Sequence, residues 1–149
     1  MHTMQIKNTV GFTLIELLIA LMITGIMSAI AVPRFSGLIK NYTFSNAARV
    51  IWLDLHRAKM IAIKQGRAMR VDFTATSYNI VRVDTAAVVL SRNLSVHYPS
   101  ITFNTTETTP SVSFGSTGTA NGGTVVIQQG STGSKQFTIA LTGRIGSIP

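Results

Sequence analysis

With 149 residues, the chain has room for one small domain and one modest core. It contains no cysteine, which removes disulfide frameworks and Cys-ligated metal sites, and its histidines, His2, His56 and His97, are too scattered for a metal-ligand spacing such as HExxH. The formal charge of +8, 13 Lys and Arg against Glu16, Asp54, Asp72, Asp84 and Glu107, points either to an anionic partner, nucleic acid or lipid head groups, or to solubility alone.

The first element is "GFTLIELLIALMITGIMSAIAVP". Phe12 to Val32 matches the ~20 apolar residues that cross a hydrocarbon core as a helix. A secretory signal has a shorter apolar region with its cleavage site behind it; here the short basic leader, with Lys7, stands in front of a full span. The span is built to be retained. Glu16 lies near its start, and no Lys, Arg or His occurs in the run. An intramembrane carboxylate costs roughly 2.5 kcal/mol or more near the bilayer centre, so it marks a functional site unless it snorkels to the interface. A cut between Gly11 and Phe12 would create a cationic amine beside it.

These residues resemble the N-terminal signature of type IV pilins and of the pseudopilins of type II secretion. The resemblance implies that a prepilin peptidase cuts after Gly11 and that Phe12 becomes N-methylphenylalanine. It also implies that Glu16 recognises the amino group of a neighbouring subunit during filament assembly. Residues 1–11 are then a cleaved leader and 12–33 the transmembrane and assembly half of a long helix.

Pro33 removes a backbone donor and predicts a kink. The helical pattern resumes: Phe44, Ala48, Ile51, Leu55, Ala58 and Ala62 fall on one stripe while Arg49, Arg57 and Lys64 project elsewhere. Residues 34–65 are thus the amphipathic half, with Gly66 as a stop and Lys64 suited to the helix C-terminus. Asp54 and Arg57, three apart, are expected to pair on the helix surface, worth only ~0.2–0.5 kcal/mol.

From residue 66 to 149 the period changes to that of strands. "RAMRVDF", "SYNIVRV", "AAVVLSR", "SVHYP", "ITFN", Ser111–Phe114, Thr124–Gln128 and Gln136–Leu141 are short, rich in Val, Ile, Tyr, Phe and Thr, and separated by turn residues. The predicted fold class is α+β: one long N-terminal helix packed on antiparallel sheet. "GSTGSK", Gly130 to Lys135, lacks the Gly-Lys-Ser/Thr and following helix of a phosphate loop and reads as a hairpin loop.

"AARVIWLDLHRAKMIAIKQGRAMRVDF", "VSFGSTGTANGGTVVIQ" and "QFTIALTGRI" narrow the resemblance to the FimT/GspH branch, whose members are typically minor, priming or tip subunits. FimT-like minor pilins of naturally competent bacteria capture extracellular DNA with help from a C-terminal Gly-Arg-x-Arg motif. Gly143 and Arg144 match its first half, and Gly146 stands where the second Arg would be. The resemblance makes Arg144, Lys135 and Arg92 the candidate DNA-binding residues; the other reading is that Gly143-Arg144-Ile145 simply ends a strand, with Arg144 as an ion-pair or hydrogen-bond former. Eight cations between Arg34 and Arg70 against Asp54 alone add a basic surface suited to assembly, anchoring or phosphate binding.

No nucleophile, base and orienter are nominated by spacing, and no cofactor or metal is expected. The expected function is a minor pilin of a type IV pilus, or a GspH-like minor pseudopilin of a type II secretion system, and not an enzyme. The implied partners are other pilin or pseudopilin subunits, the prepilin peptidase, the inner membrane before assembly, and DNA. The implied location is the bacterial inner membrane as a single-pass protein, then the pilus or periplasmic pseudopilus.

Overall fold

The computed structural model describes residues 11–130 and 133–146, with only the backbone of residues 33 and 34. The expected leader, apart from Gly11, lies outside the described residues.

Helix α1, Leu14–Gln65, is continuous through residue 33. Thr13 opens it: its Oγ1 accepts from the Glu16 N–H at 3.3 Å, the side-chain half of a Thr-x-x-Glu capping box. Gly66 closes it with φ +62°. Arg67 N donates to Ala62 O and Gly66 N to Ile63 O, the paired bonds of a Schellman ending. Two compact units divide the chain between Lys40 and Asn41.

In the first unit the helix is apolar on all sides and exposed on all sides, from Leu14 and Ile15 to Leu38 and Ile39. Two of its hydroxyl residues, Thr24 and Ser28, are satisfied locally. Thr24 Oγ1 donates to Ala20 O at 2.7 Å and Ser28 Oγ to Thr24 O at 2.8 Å, as side chains do where water is absent.

In the second unit the helix is amphipathic. The expected stripe of Phe44, Ala48, Ile51, Leu55, Ala58 and Ala62 is buried, joined by Ala47. It shares one core with two antiparallel sheets. Strands β1 (Met69–Phe73), β2 (Ser77–Arg82) and β3 (Val88–Asn93) form a meander, followed by helix α2 (Leu94–His97) and strand β4 (Ile101–Phe103). Strands β5 (Ser111–Phe114), β6 (Gly123–Gln129) and β7 (Gly133–Ile139) complete the fold. One sheet has the order β3-β2-β1-β5 and the other β4-β6-β7. Alternation puts Met69, Val71, Tyr78, Ile80, Val112 and Phe114 of the first sheet, and Val125, Ile127, Phe137 and Ile139 of the second, into that core.

Two local expectations are corrected. "SVHYP" is not a strand. Asn93 Oδ1 accepts from both Ser95 N and Ser95 Oγ, at 2.9 and 2.7 Å, and this cap starts α2 while Leu94 is wholly buried; capping overrides the apolar pattern. The hairpin loop expected over Gly130–Lys135 is also shorter. Gly133 already pairs with Gln129, and Lys135 with Ile127, while Gly130 supplies the left-handed turn with φ +55°; residues 131 and 132 lie outside the described residues.

Candidate functional sites

At the start of the first unit, Gly11 and Phe12 are exposed, and among the described residues beyond its chain neighbours no atom lies within 4 Å of the position a Cβ would take on Gly11. Glu16 occupies the first helical turn, where the positive end of the helix dipole favours a carboxylate. It is exposed, and no ion pair to it occurs among the described residues. The capping relation to Thr13 is legible in "TLIE" as Thr-x-x-Glu; the hydropathy of the run conceals it, because the eye reads the Glu as a charge in a membrane rather than as part of a cap.

In the second unit Asp54 contradicts its expected pairing. It is buried at 6% exposure, and Arg57, one helical turn on, is exposed. The partners of Asp54 come from the neighbouring sheet: Tyr78 Oη donates to Oδ2 at 2.6 Å and Arg92 Nε at 2.7 Å. Position on the helix, facing the core, decides this, and sequence spacing alone does not show it. Burial, reinforced by the hydrogen bond to Asp54 and its charge, pushes the Tyr78 hydroxyl far above the ordinary tyrosine range. Partial burial would lower the guanidinium of Arg92, but the Asp54 carboxylate outweighs this and raises it. Arg92 is therefore the counter-ion of a buried carboxylate.

Lys135 lies elsewhere, its Nζ 3.4 Å from Ser45 Oγ and 5.8 Å from the centroid of the Phe44 ring. Arg144 is exposed and belongs to a tight C-terminal turn. Gly143 N donates to Ala140 O at 2.8 Å, Ala140 N to Arg144 O at 2.9 Å, and Ile145 bridges Ile139. The turn is fixed to the helix because Lys59 Nζ donates to Gly143 O at 2.9 Å. Gly143 has φ +73°, and a Cβ there would collide with Gly118 O, so the Gly of the Gly-Arg pair is required by backbone approach. Arg144 enters these contacts through its carbonyl, leaving the guanidinium without an ion pair among the described residues.

The three expected DNA contacts are thus not brought together. Lys135 meets the helix at Ser45 and the Arg144 turn meets it at Lys59, about 21 Å apart at ~1.5 Å per residue. The rest of the basic surface is partly neutralised. Arg67 pairs with Asp84, Arg70 with Asp72 at 2.7 Å, and Arg82 lies 3.8 Å from Asp84 while donating to Gln65. Desolvation would raise the Asp84 carboxyl, but hydrogen bonding and charge from Arg67, with Arg82 behind it, hold it below its ordinary value. Among the described residues no group of His, Asp and Glu is placed to hold a metal ion.

The family model for the type II transport protein GspH matches residues 47–143. The chain belongs to the GspH family. A second model, the prokaryotic N-terminal methylation motif, matches residues 10–32, the stretch that contains Gly11, Phe12 and Glu16. No curated protein matches the sequence significantly. Among solved structures, the type IV minor pilin FimU of Pseudomonas aeruginosa has the same fold in two crystal forms. One gives a TM-score of 0.57 at 18% identity, covering 70% of this chain and 91% of FimU; the other gives 0.55 at 19%, covering 70% and 96%. This GspH-family chain has the expected long helix on antiparallel sheet and shares the fold of FimU. Membership implies association with other pilin or pseudopilin subunits and processing by a prepilin peptidase. The methylation motif and the exposed apolar helix fit inner-membrane anchoring before assembly.

Proposed function

We propose that this chain is a minor subunit of a type IV pilus, acting in priming or at the tip, with a structural role and no catalysis. In this reading the peptidase cuts between Gly11 and Phe12, Phe12 is N-methylated, and Glu16 receives the amine of the neighbouring subunit as the apolar helix leaves lipid for the filament. The observation that carries it is Glu16: an exposed carboxylate in the first turn of an apolar, exposed helix segment, with no ion pair among the described residues. Such a charge is stabilised by an amine from outside the subunit. The Glu16→Ala chain should be cleaved normally yet fall by at least about tenfold in sheared filaments, as an unmet charge pair of ~1.4 kcal/mol would give. Normal incorporation sinks the reading.

The description of the matching family favours a second host, the pseudopilus of a type II secretion system. Deleting the gene and scoring surface pili against secreted protein separates the two.

Capture of extracellular DNA belongs to this proposal only through Arg144, the exposed cation of the Gly-Arg pair, because Arg92 is engaged by Asp54 and Lys135 lies apart. A salt-sensitive gel shift that Arg144→Ala abolishes is the expected result. A shift insensitive to both salt and Arg144 removes DNA from the reading.

A further inference from the structure

The segment "NTTETTP", Asn104–Pro110, links β4 to β5 and is built as a wall rather than a slack connector. Thr108 Oγ1 donates to Val126 O at 3.1 Å and accepts from Val126 N at 3.0 Å. Thr109 N donates to Thr124 O at 2.7 Å, and its Oγ1 accepts from Thr124 N at 2.9 Å. The segment therefore continues beside β6 with hydroxyls standing in for ladder groups. Its start is folded on Asn104, whose carbonyl accepts from Thr108 N at 2.8 Å and whose Oδ1 accepts from Thr106 N at 3.1 Å. Its end is pinned where Phe73 N donates to Pro110 O at 2.9 Å.

Held in this way, Thr105, Thr108 and Pro110 line an apolar pocket with Phe73 and Phe103, of about 140 Å³. The two rings are tilted against each other at 5.2 Å between centroids. This volume lies below the ~300–1,000 Å³ range of small-molecule sites, and suits a single side chain.

Charge says which side chain and in what company. Between Thr105 and Thr108 the chain places Glu107, which is exposed. Asp54, Asp72 and Asp84 each face an arginine of their own chain. Glu107 has no ion pair among the described residues, on a chain of net charge +8. An exposed, unneutralised acid held between two residues that line an apolar pocket, Thr105 and Thr108, is complementary to a cation that the subunit does not supply.

We propose that this pocket docks a protein segment presenting one aromatic or branched aliphatic side chain beside a Lys or Arg. The apolar side chain enters between Phe73 and Phe103, and the cation meets Glu107. The apolar anchor supplies the affinity and the charge pair supplies selectivity. This surface is independent of Glu16, so failure here leaves the filament-assembly reading standing.

The test uses the full chain in zwitterionic micelles, labelled at Thr and Ile methyls and followed by NMR. The probes are acetyl-Lys-Phe-Lys-amide, acetyl-Glu-Phe-Glu-amide and acetyl-Lys-Ser-Lys-amide. The first should shift the methyls of Thr105 and Thr108, the second should bind up to about fivefold more weakly, the upper range of an exposed ion pair, and the third should leave both methyls in place. Glu107→Gln should retain binding of the Phe peptides and erase the difference between them. Thr105→Trp, at an exposed position, should fill the mouth and abolish the shifts while the remaining methyl spectrum stays dispersed. The proposal is overturned by equal shifts from the Ser peptide, by no shift at Thr105 and Thr108, or by a charge preference that survives Glu107→Gln.

Discussion

Helix α1 is one element with two solvents, and its more hydrophobic half is the one left bare. Up to Lys40 it carries Leu, Ile and Met around its whole circumference, and all of these stand exposed. From Asn41 it is poorer in aliphatic bulk, yet Phe44, Ile51 and Leu55 are buried with four alanines, Ala47, Ala48, Ala58 and Ala62. Burial in water follows the pattern of apolar residues rather than their number. The alanines add a steric reason, since small side chains on one face let sheet come close to the helix axis. A face without polar relief, as in the first half, has no aqueous solution short of lipid or another apolar helix.

The same substitution placed in each half should break this comparison most visibly. Ile51 is wholly buried, and Ile51→Asp should destabilise the sheet-bearing unit by more than about 4 kcal/mol, because an unpaired charge is forced into the core. Circular dichroism of the membrane-extracted chain should then show no cooperative melt. Ile26→Asp should leave that melt in place and instead lower membrane retention on fractionation, by roughly 2.5 kcal/mol or more of insertion free energy. A melt lost in both variants would mean that the halves do not differ as described.

A smaller effect separates the faces within the second half. Arg92→Ala leaves the Asp54 carboxylate buried without its cation and should cost about 1–3 kcal/mol, allowing for solvent at the half-exposed guanidinium. Arg57→Ala, on the exposed face, should stay within about 0.5 kcal/mol. Urea melts of the two variants check the order.

The smallest effect is one of pH. The folded state holds the Tyr78 hydroxyl above its ordinary value, so it keeps that proton longer than the unfolded chain does. Its contribution is complete below the unfolded tyrosine value of about 10 and declines as pH rises beyond it, because the unfolded chain then releases a proton that the folded chain retains. Between pH 9 and 11 the melting temperature should fall, and Tyr78→Phe should flatten that slope.

Much of this was written in the residue order. Steps of three and four placed Phe44 through Ala62 on the buried stripe, Gly66 marked the helix end, and seven of the strand runs matched strands in position, if not at every end. What stayed hidden was set by partners distant in sequence. Asp54 looked like half of a helix-surface pair with Arg57 because spacing along a helix is visible; Tyr78 and Arg92, brought in by the sheet, are not. "SVHYP" looked like a strand because its apolar residues outweigh a single capping Asn93. The hydroxyl bonds of "NTTETTP" to β6 and its pocket with Phe73 depend on contacts that no local pattern encodes. At Arg144 the sequence showed a motif, whereas the fold divides it: Gly143 serves close backbone packing, and only the guanidinium faces solvent.

Thr24 and Ser28, each bonded back to a carbonyl of its own helix, carry a consequence for traffic between environments. Neither hydroxyl needs a lipid head group, a water molecule or a neighbouring chain. Moving this segment from a bilayer into a bundle of similar helices therefore breaks no hydrogen bond and makes none, and the exchange is governed by van der Waals contact. The segment is in that sense portable: its internal bonding is the same at departure and arrival, and Glu16 is the place where the two destinations differ.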